Sequence, residues 1–430
     1  MNNWKTTARE MRDYLILWAT QALSALGSAM TNFALILWSY RETGSALSTA
    51  MLSICSYAPY VALSVFAGAL SDRWDKRRTM LVCDSVAAAG TAAVIALYFT
   101  GTLRVGHLYA LNVLSGLMNA VQQPAADVAS TLLIPPKHYQ KASALRSASG
   151  SATSILTPVC AAALMGLAGL ELVFAVDLAT FFAAFAALMF AVKIPRNAKP
   201  AEKKERLLDS ARGGIDYLKK ERGVLHLILF LAAINLTASA YSAALPAMVL
   251  SRAGGGEGAY GVLNAVTGAA TLAGSLIAAL LPQPKSRVRV ICNTLLISMS
   301  TENFFLAFGR SLPVWCAGAV LGWLVIPTMN ANLDVVMRGR IPVELQGRVF
   351  SVRNTAQFFT IPIGYALGGA LVDGVFEPLM ARASAQSLPA LLFGTGKGSG
   401  AAALFCLLAA AGVATCLIFR RDREIWKLEE

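Results

Sequence analysis

The chain has 430 residues and 45.4 kDa; 56 % of it is hydrophobic, only 14 % is charged, and the mean hydropathy is +0.57. Soluble domains carry about 25 % charged residues, and a soluble fold cannot hide this much apolar surface, so a water-soluble enzyme is excluded. The net charge of +13, from 37 basic and 24 acidic residues, would suggest nucleic-acid binding on a soluble chain. Here the basic residues lie in short segments between apolar runs, which is the signature of membrane topology, and no nucleic-acid partner is expected.

The apolar runs predict an all-α integral membrane protein of twelve spans, at about 14–40, 46–70, 79–99, 107–131, 143–168, 171–192, 224–250, 258–281, 288–309, 312–336, 347–372 and 400–419. The first run is too long for the core of a signal peptide and reads as a permanent span. Two linkers are long. The first holds Lys193 to Gly223 and ten of the 37 basic residues, with Leu207, Leu208, Ala211, Ile215 and Leu218 at helical spacing. That pattern predicts an amphipathic helix on an anionic membrane face. The second, Asp373 to Ser399, carries only Arg382 and Lys397. Domains are therefore expected at 1–192, 193–223 (the basic linker) and 224–430.

Counting basic residues on alternate sides leaves only Arg41, Arg104, Arg252, Arg310, Arg382 and Lys397 on one of them. The positive-inside rule then puts both termini in the cytoplasm. The seven cysteines form no CxxC pair and read as small buried hydrophobes. The three histidines lack metal-ligand spacing, so no metal and no cofactor are expected.

The chain repeats itself. Asp127, Ile134-Pro135, Lys141 and Arg146 recur at the same spacing as Asp334, Ile341-Pro342, Arg348 and Arg353, about half the chain further on. Gly68 and Gly274 are similarly related. Two six-span repeats in the same orientation follow, an arrangement of transporters that bind substrate between the halves.

The segment after span 2 reads Gly68-Ala-Leu-Ser-Asp72-Arg73-Trp-Asp-Lys76-Arg77-Arg78. It resembles the signature loop of the major facilitator superfamily. The Thr43-Gly44-Ser45 turn, the Asp-Arg-Trp-Asp form of the loop and the Ile-Pro segments resemble the macrolide-efflux branch of its drug:proton antiporters. Asp75 and Lys76 depart from the family pattern, and Thr157-Pro158-Val-Cys-Ala161-Ala162 keeps the small residues but not the glycines of the span 5 antiporter motif. The resemblance implies proton-driven export of a bulky amphipathic small molecule from a bacterial cytoplasmic membrane, by alternating access, with protons and membrane lipid as the other partners and a monomer sufficient. Export of a metabolite or siderophore, or nutrient uptake by symport, is the competing reading.

The resemblance also implies a cytoplasmic gate. In the family the loop acid faces the start of span 11, and the next basic residue pairs with an acid ending span 4; Asp127 and Arg353 match those places. Gly68, which lets span 2 approach a neighbour closely, Asp72, Arg73, Lys76, Arg77, Asp127 and Arg353 form the expected cluster. An anion at a helix C-terminus needs such partners, because the macrodipole disfavours it there. Asp334 and Arg348 would form a second-half counterpart, weakened by Ala278 where its acid would be.

Polar residues recur at helical spacing on several spans, and such faces avoid lipid. Gln21, Asn32, Asn112, Asn119, Gln122, Asn235, Asn264 and Gln357 are larger than helix packing needs and are candidates to line the substrate cavity; small serines and threonines also serve helix packing. Asp177 in span 6 and Glu302 in span 9 lie at membrane depth. An intramembrane acid is a functional candidate by default, and a carboxyl group away from water can take up and release a proton, so both are candidates for coupling. Glu302 is favoured by Asn303 beside it and Ser298 one turn away. No converging catalytic set and no phosphate-binding loop is visible, so neither an enzyme nor an ATP-driven pump is expected.

Overall fold

The computed structural model describes residues 10–135, 138–195 and 215–429, with side chains except at 64–73, 139–140, 143–144, 343–344, 346–348 and 350–351. Among the described residues, ten helices are long and apolar enough to cross a membrane. One of them, Leu145–Ala191, has 47 residues and bends back at Ala168 and Gly169, where the backbone leaves helical geometry (Gly169 φ 72°). A positive φ suits glycine and costs other residues, so Gly169 marks the turn between spans 5 and 6. The helix Val105–Leu133, 29 residues long, is span 4 and completes the twelve.

Spans 1 to 4 are Arg12–Thr43, Ala46–Arg73, Lys76–Phe99 and Val105–Leu133. Spans 5 and 6 share Tyr139–Ala186, and a π-turn at Ala187–Ala191 finishes the second. Spans 7, 8 and 9 are Arg222–Ser251, Glu257–Leu280 and Arg287–Phe308. Span 10 is Leu312–Trp323 plus Ile326–Arg340, span 11 is Val343–Leu371 and span 12 is Ser399–Arg420. Spans 9 and 12, with 22 residues each, reach about 33 Å at 1.5 Å per residue, enough for a hydrocarbon core of about 30 Å. These boundaries lie within a few residues of those predicted, because only a continuous apolar run satisfies the membrane.

By its contacts the chain divides into two compact units: Met1–Trp38 with Cys55–Lys203, and Ser39–Ile54 with Lys204–Glu430. The segment 39–54, the turn between spans 1 and 2, thus groups with the second half of the sequence. Most of the predicted amphipathic linker helix lies outside the described residues. Its end, 215–220, is helical, and Leu218 is buried in the protein core with Val224 and Leu227, while the Tyr217 hydroxyl donates to the Arg340 carbonyl at 2.7 Å. That end of the linker is held by the second unit.

In the first unit, Leu17, Met80, Ala125, Ala129, Leu188 and Val192 form one apolar cluster, and the buried Tyr14 hydroxyl donates to the Ala142 carbonyl at 3.2 Å. Span 4 meets span 2 at Gly116, where a Cβ would strike the Ser56 carbonyl. In the second unit, span 8 meets span 10 at Gly274, where a Cβ would strike the Leu324 carbonyl. The repeat thus makes the same inter-span contact twice, with the glycine on the opposite partner. Gly364 and Gly368 bring span 11 against the span 7 backbone at Leu236 and Ala240, as small residues four apart do within membranes. The chain end folds back onto this unit: Ile425 is fully buried, and the Glu429 carboxylate accepts from the Val288 amide at 2.7 Å, capping span 9.

The turn after span 11 has a structural role that its composition did not signal. A π-turn, Val372–Phe376, presents Asp373, and Glu377 follows one turn on. Asp373 accepts from the Ser45 hydroxyl at 2.6 Å and from the amides of Ala46 and Leu47 at 3.0 and 2.9 Å. It therefore caps the N-terminus of span 2, where the macrodipole favours an anion. Glu377 accepts from the amides of Gly398 and Ala401 at 3.0 and 3.2 Å and caps span 12 in the same way.

Candidate functional site

Glu302 is 3 % exposed. Span 9 holds it between span 7, whose Tyr241 hydroxyl donates to Glu302 Oε1 at 2.5 Å, and span 10, whose Trp323 indole nitrogen donates to the same oxygen at 2.8 Å. Gly322 leaves the notch: a Cβ there would press on Glu302 Cβ and Oε2. Both donors reach Oε1, so in the neutral acid the proton resides on Oε2, beside Gly322. Among the described residues no cation pairs with this carboxylate. The polar company differs from that expected. Asn303 instead turns its amide nitrogen to the Met299 carbonyl, 2.9 Å away on its own helix. Aromatic residues with one polar tip are easily read as packing, which is why Tyr241 and Trp323 were not singled out in the sequence.

Asp177 is 4 % exposed and sits in a matching notch of the first unit. The Ser28 hydroxyl on span 1 donates to its Oδ1 at 3.0 Å. Gly27 makes the approach possible, since a Cβ there would meet Thr180 and Asp177. A third acid, Asp84 in span 3, was missed. The amides of Gln122 and Gln21 donate to its two oxygens, Oδ1 and Oδ2, at 2.5 and 3.3 Å. It lies inside the predicted span 79–99, close after the Lys76-Arg77-Arg78 run. Its depth, two turns past those cations, was the signal available.

The charged loops pair within their own units. Arg146 Nη2 meets Asp127 Oδ1 at 2.8 Å, and Arg353 Nη1 meets Asp334 Oδ1 at 3.9 Å. These are equivalent residues of the two copies of the repeat. Arg77 donates to the carbonyls of Leu188, at 2.9 Å, and Met189, at the end of span 6. Asp75 accepts from the Arg78 amide at 2.9 Å and caps span 3, a role for an acid where the family pattern has glycine. Lys76 is buried. The side chains of Asp72, Arg73 and Arg348, and the surroundings of Gly68, lie outside the described ones.

The cavity candidates fall into three groups. Gln21 and Gln122 hold Asp84. Asn112 and Asn264 donate to carbonyls of their own helices, Leu108 and Tyr260, at 2.9 and 2.8 Å. Asn32 and Asn119 are exposed, Asn235 is half-buried and Gln357 is buried.

The model of the Major Facilitator Superfamily matches residues 17–365. Macrolide efflux protein A of Streptococcus pyogenes is 24 % identical over 379 residues, covering 87 % of this chain and 91 % of that protein. The multidrug efflux pump Tap of Mycolicibacterium fortuitum is 25 % identical over 396 residues, covering 88 % and 93 %. Among solved structures, a bacterial homologue of the iron transporter ferroportin in an inward-facing state superposes with a TM-score of 0.68 at 14 % identity, covering 95 % of this chain and 98 % of that one. The nucleoside transporter NupG superposes at 0.67 and 11 %, covering 94 % and 98 %. These two show the fold alone. With its twelve membrane helices, its internal repeat and a family match over most of its length, this multi-pass membrane protein belongs to the Major Facilitator Superfamily of transporters.

Proposed function

We propose that the protein is a secondary active exporter of bulky amphipathic compounds of the macrolide kind, driven by protons entering a bacterial cell across its cytoplasmic membrane, with both termini in the cytoplasm. The observation that carries this reading is Glu302: a buried carboxylate held by two neutral donors, with no ion-pair partner among the described residues. Keeping a charge away from water without a counter-ion is expensive, so such a group stays in a membrane protein where a protonation cycle uses it. Asp177 stands in the same relation to the first half. We assign one proton per cycle to each acid. Relatives named for macrolide and multidrug efflux support the substrate class and the direction.

The halves 1–192 and 224–430, joined by the basic segment 193–223, carry the substrate across by alternating access. Asp72, Arg73, Lys76, Arg77, Asp127 and Arg353 close the cytoplasmic side, with Asp334 and Arg348 as the weaker counterpart. The test is purified protein in lipid vesicles, with a macrolide and an imposed pH difference. Accumulation against a gradient that collapses with a proton ionophore is expected; accumulation indifferent to the pH difference overturns the reading. On the gate, Asp72→Asn is expected to cut transport sharply at unchanged abundance. Wild-type transport at equal abundance assigns the loop to topology alone.

A further inference from the structure

The first unit contains a small cavity of about 60 Å³ whose wall includes Asp84 and Asp177 together, with Ser24, Ser28 and Thr91 between them. A water needs about 10–15 Å³ of such space and two to four polar partners, so the cavity has room for a short chain of waters, and its hydroxyls and carboxylates offer the partners. Its described lining has no other titratable group.

The positions of the acids fit a path. Asp84 lies eight residues from the start of span 3, and Asp177 eight residues past the Gly169 turn. At 1.5 Å per residue each is about 12 Å from its own helix end, and those ends lie on opposite faces of the membrane because spans 3 and 6 run in opposite directions. In a hydrocarbon core of about 30 Å, that leaves a gap of roughly a few water lengths, which the cavity occupies. Span 1 follows the same line: Gln21 donates to Asp84 at 3.3 Å, Ser28 donates to Asp177 at 3.0 Å, and Ser24 lies between them on the same face.

We propose that Asp84, Asp177 and the cavity between them form a proton path through the N-terminal half, Asp84 serving the face that bears Lys76 to Arg78 and Asp177 the opposite one. This rests on the reading that transport is proton-driven, and it adds a second acid and a route. The step is a transfer of O–H bonds only. The Asp177 carboxyl gives its proton to the first water, each water passes one on, and the last protonates the Asp84 carboxylate; no electron moves and no other bond breaks. Asp84 also explains how the proton would be felt. Its two oxygens hold Gln21 of span 1 and Gln122 of span 4. A protonated Asp84 has one oxygen occupied by its own hydrogen, so its grip on one of those spans loosens.

The experiment is uphill macrolide accumulation by the full chain in vesicles, at a fixed pH difference and zero membrane potential. Asp84→Asn and Asp177→Asn are each expected to lower the accumulation ratio, about tenfold per pH unit for one lost proton, while leaving downhill exchange within about twofold. The double variant is expected to be no worse than either single, because both block one path. Ser24→Leu, which fills the cavity with both acids intact, should have the same effect, and Thr91→Val, which keeps the volume but removes a hydroxyl, should have a smaller effect in the same direction. Additive losses in the double variant, or wild-type accumulation in Ser24→Leu, overturn the path. Should wild-type protein show no proton-driven accumulation at all, the reading of the function fails. The path is then judged by infrared spectroscopy of the carboxyl bands during a pH step, where loss of one aspartate must displace the other's band and Ser24→Leu must uncouple them; indifferent bands overturn it.

Discussion

Glu302→Gln is expected to lower the steady-state accumulation of substrate about tenfold per unit of pH difference, the share of one proton, and to leave downhill exchange close to wild type. The amide is a close copy of the neutral acid. Its carbonyl oxygen still accepts from Tyr241 and Trp323, now 2.5 and 2.8 Å from Oε1, and its NH2 fills the space beside Gly322, so the site keeps its shape. What is lost is the capacity to bind and release a proton. Vesicle accumulation at several imposed pH differences gives the number of protons from the slope of its logarithm, and the variant should show one fewer than wild type. Glu302→Gln combined with Asp177→Asn should abolish the slope. Tyr241→Phe separates the acid from its support: the coupling group remains, so the slope is unchanged, but a hydrogen bond to a charged group, worth roughly 1.5–3 kcal/mol, is gone and turnover slows. An unchanged slope in Glu302→Gln removes this acid from the mechanism.

The parts of the molecule legible in the sequence are those where the solvent does the selecting. The lipid requires uninterrupted apolar helices, so the ends of the twelve spans follow from hydropathy alone. Similarly, the match of Asp127 and Arg146 with Asp334 and Arg353 was visible as a repeat, and the structure gives it a physical meaning, since each pair closes an ion pair inside its own unit. Partnerships between distant segments were not legible. Nothing in the spacing of span 9 points to Tyr241 or Trp323, which are 61 and 21 residues from Glu302. The acids after span 11 looked like ordinary loop residues because a side chain that caps a remote helix has no local signature, unlike an N-cap such as Asp75, which sits next to the helix it serves. The polar stripes mark faces that avoid lipid, yet on span 1 the stripe serves the membrane acids Asp84 and Asp177, while on spans 4 and 8 its asparagines also satisfy carbonyls of their own helices.

Asp373→Ala is expected to give the largest loss of stability among single polar replacements outside the membrane acids. The carboxylate makes three hydrogen bonds at 2.6 to 3.0 Å to the start of span 2, and two of them satisfy amides that no helical partner can reach. Loss of an N-cap costs about 0.5–2 kcal/mol, and bonds to a charged acceptor run to roughly 1.5–3 kcal/mol each. Because these overlap, a total of about 2–4 kcal/mol is expected, read as a fall of several degrees in the melting temperature of the detergent-solubilised protein. The series should be graded. Ser45→Ala removes one of these bonds together with the one its hydroxyl accepts from the Ser48 amide at 3.0 Å, but it leaves the Asp373 carboxylate on both backbone amides and should cost least. Asp373→Asn keeps one acceptor oxygen but loses the charge that suits a helix N-terminus, so it should fall between. The consequence goes beyond stability, because Asp373 is what ties the segment Ser39–Ile54 to the unit formed by Lys204–Glu430, together with the Tyr40 hydroxyl, 2.6 Å from Ser251 Oγ. With Asp373 removed, the turn between spans 1 and 2 should become more accessible to a membrane-impermeant thiol reagent at Thr43→Cys. A melting temperature and a labelling rate both unchanged in Asp373→Ala would mean that water caps span 2 as well as the carboxylate does, and that the tie contributes nothing to holding this segment in place.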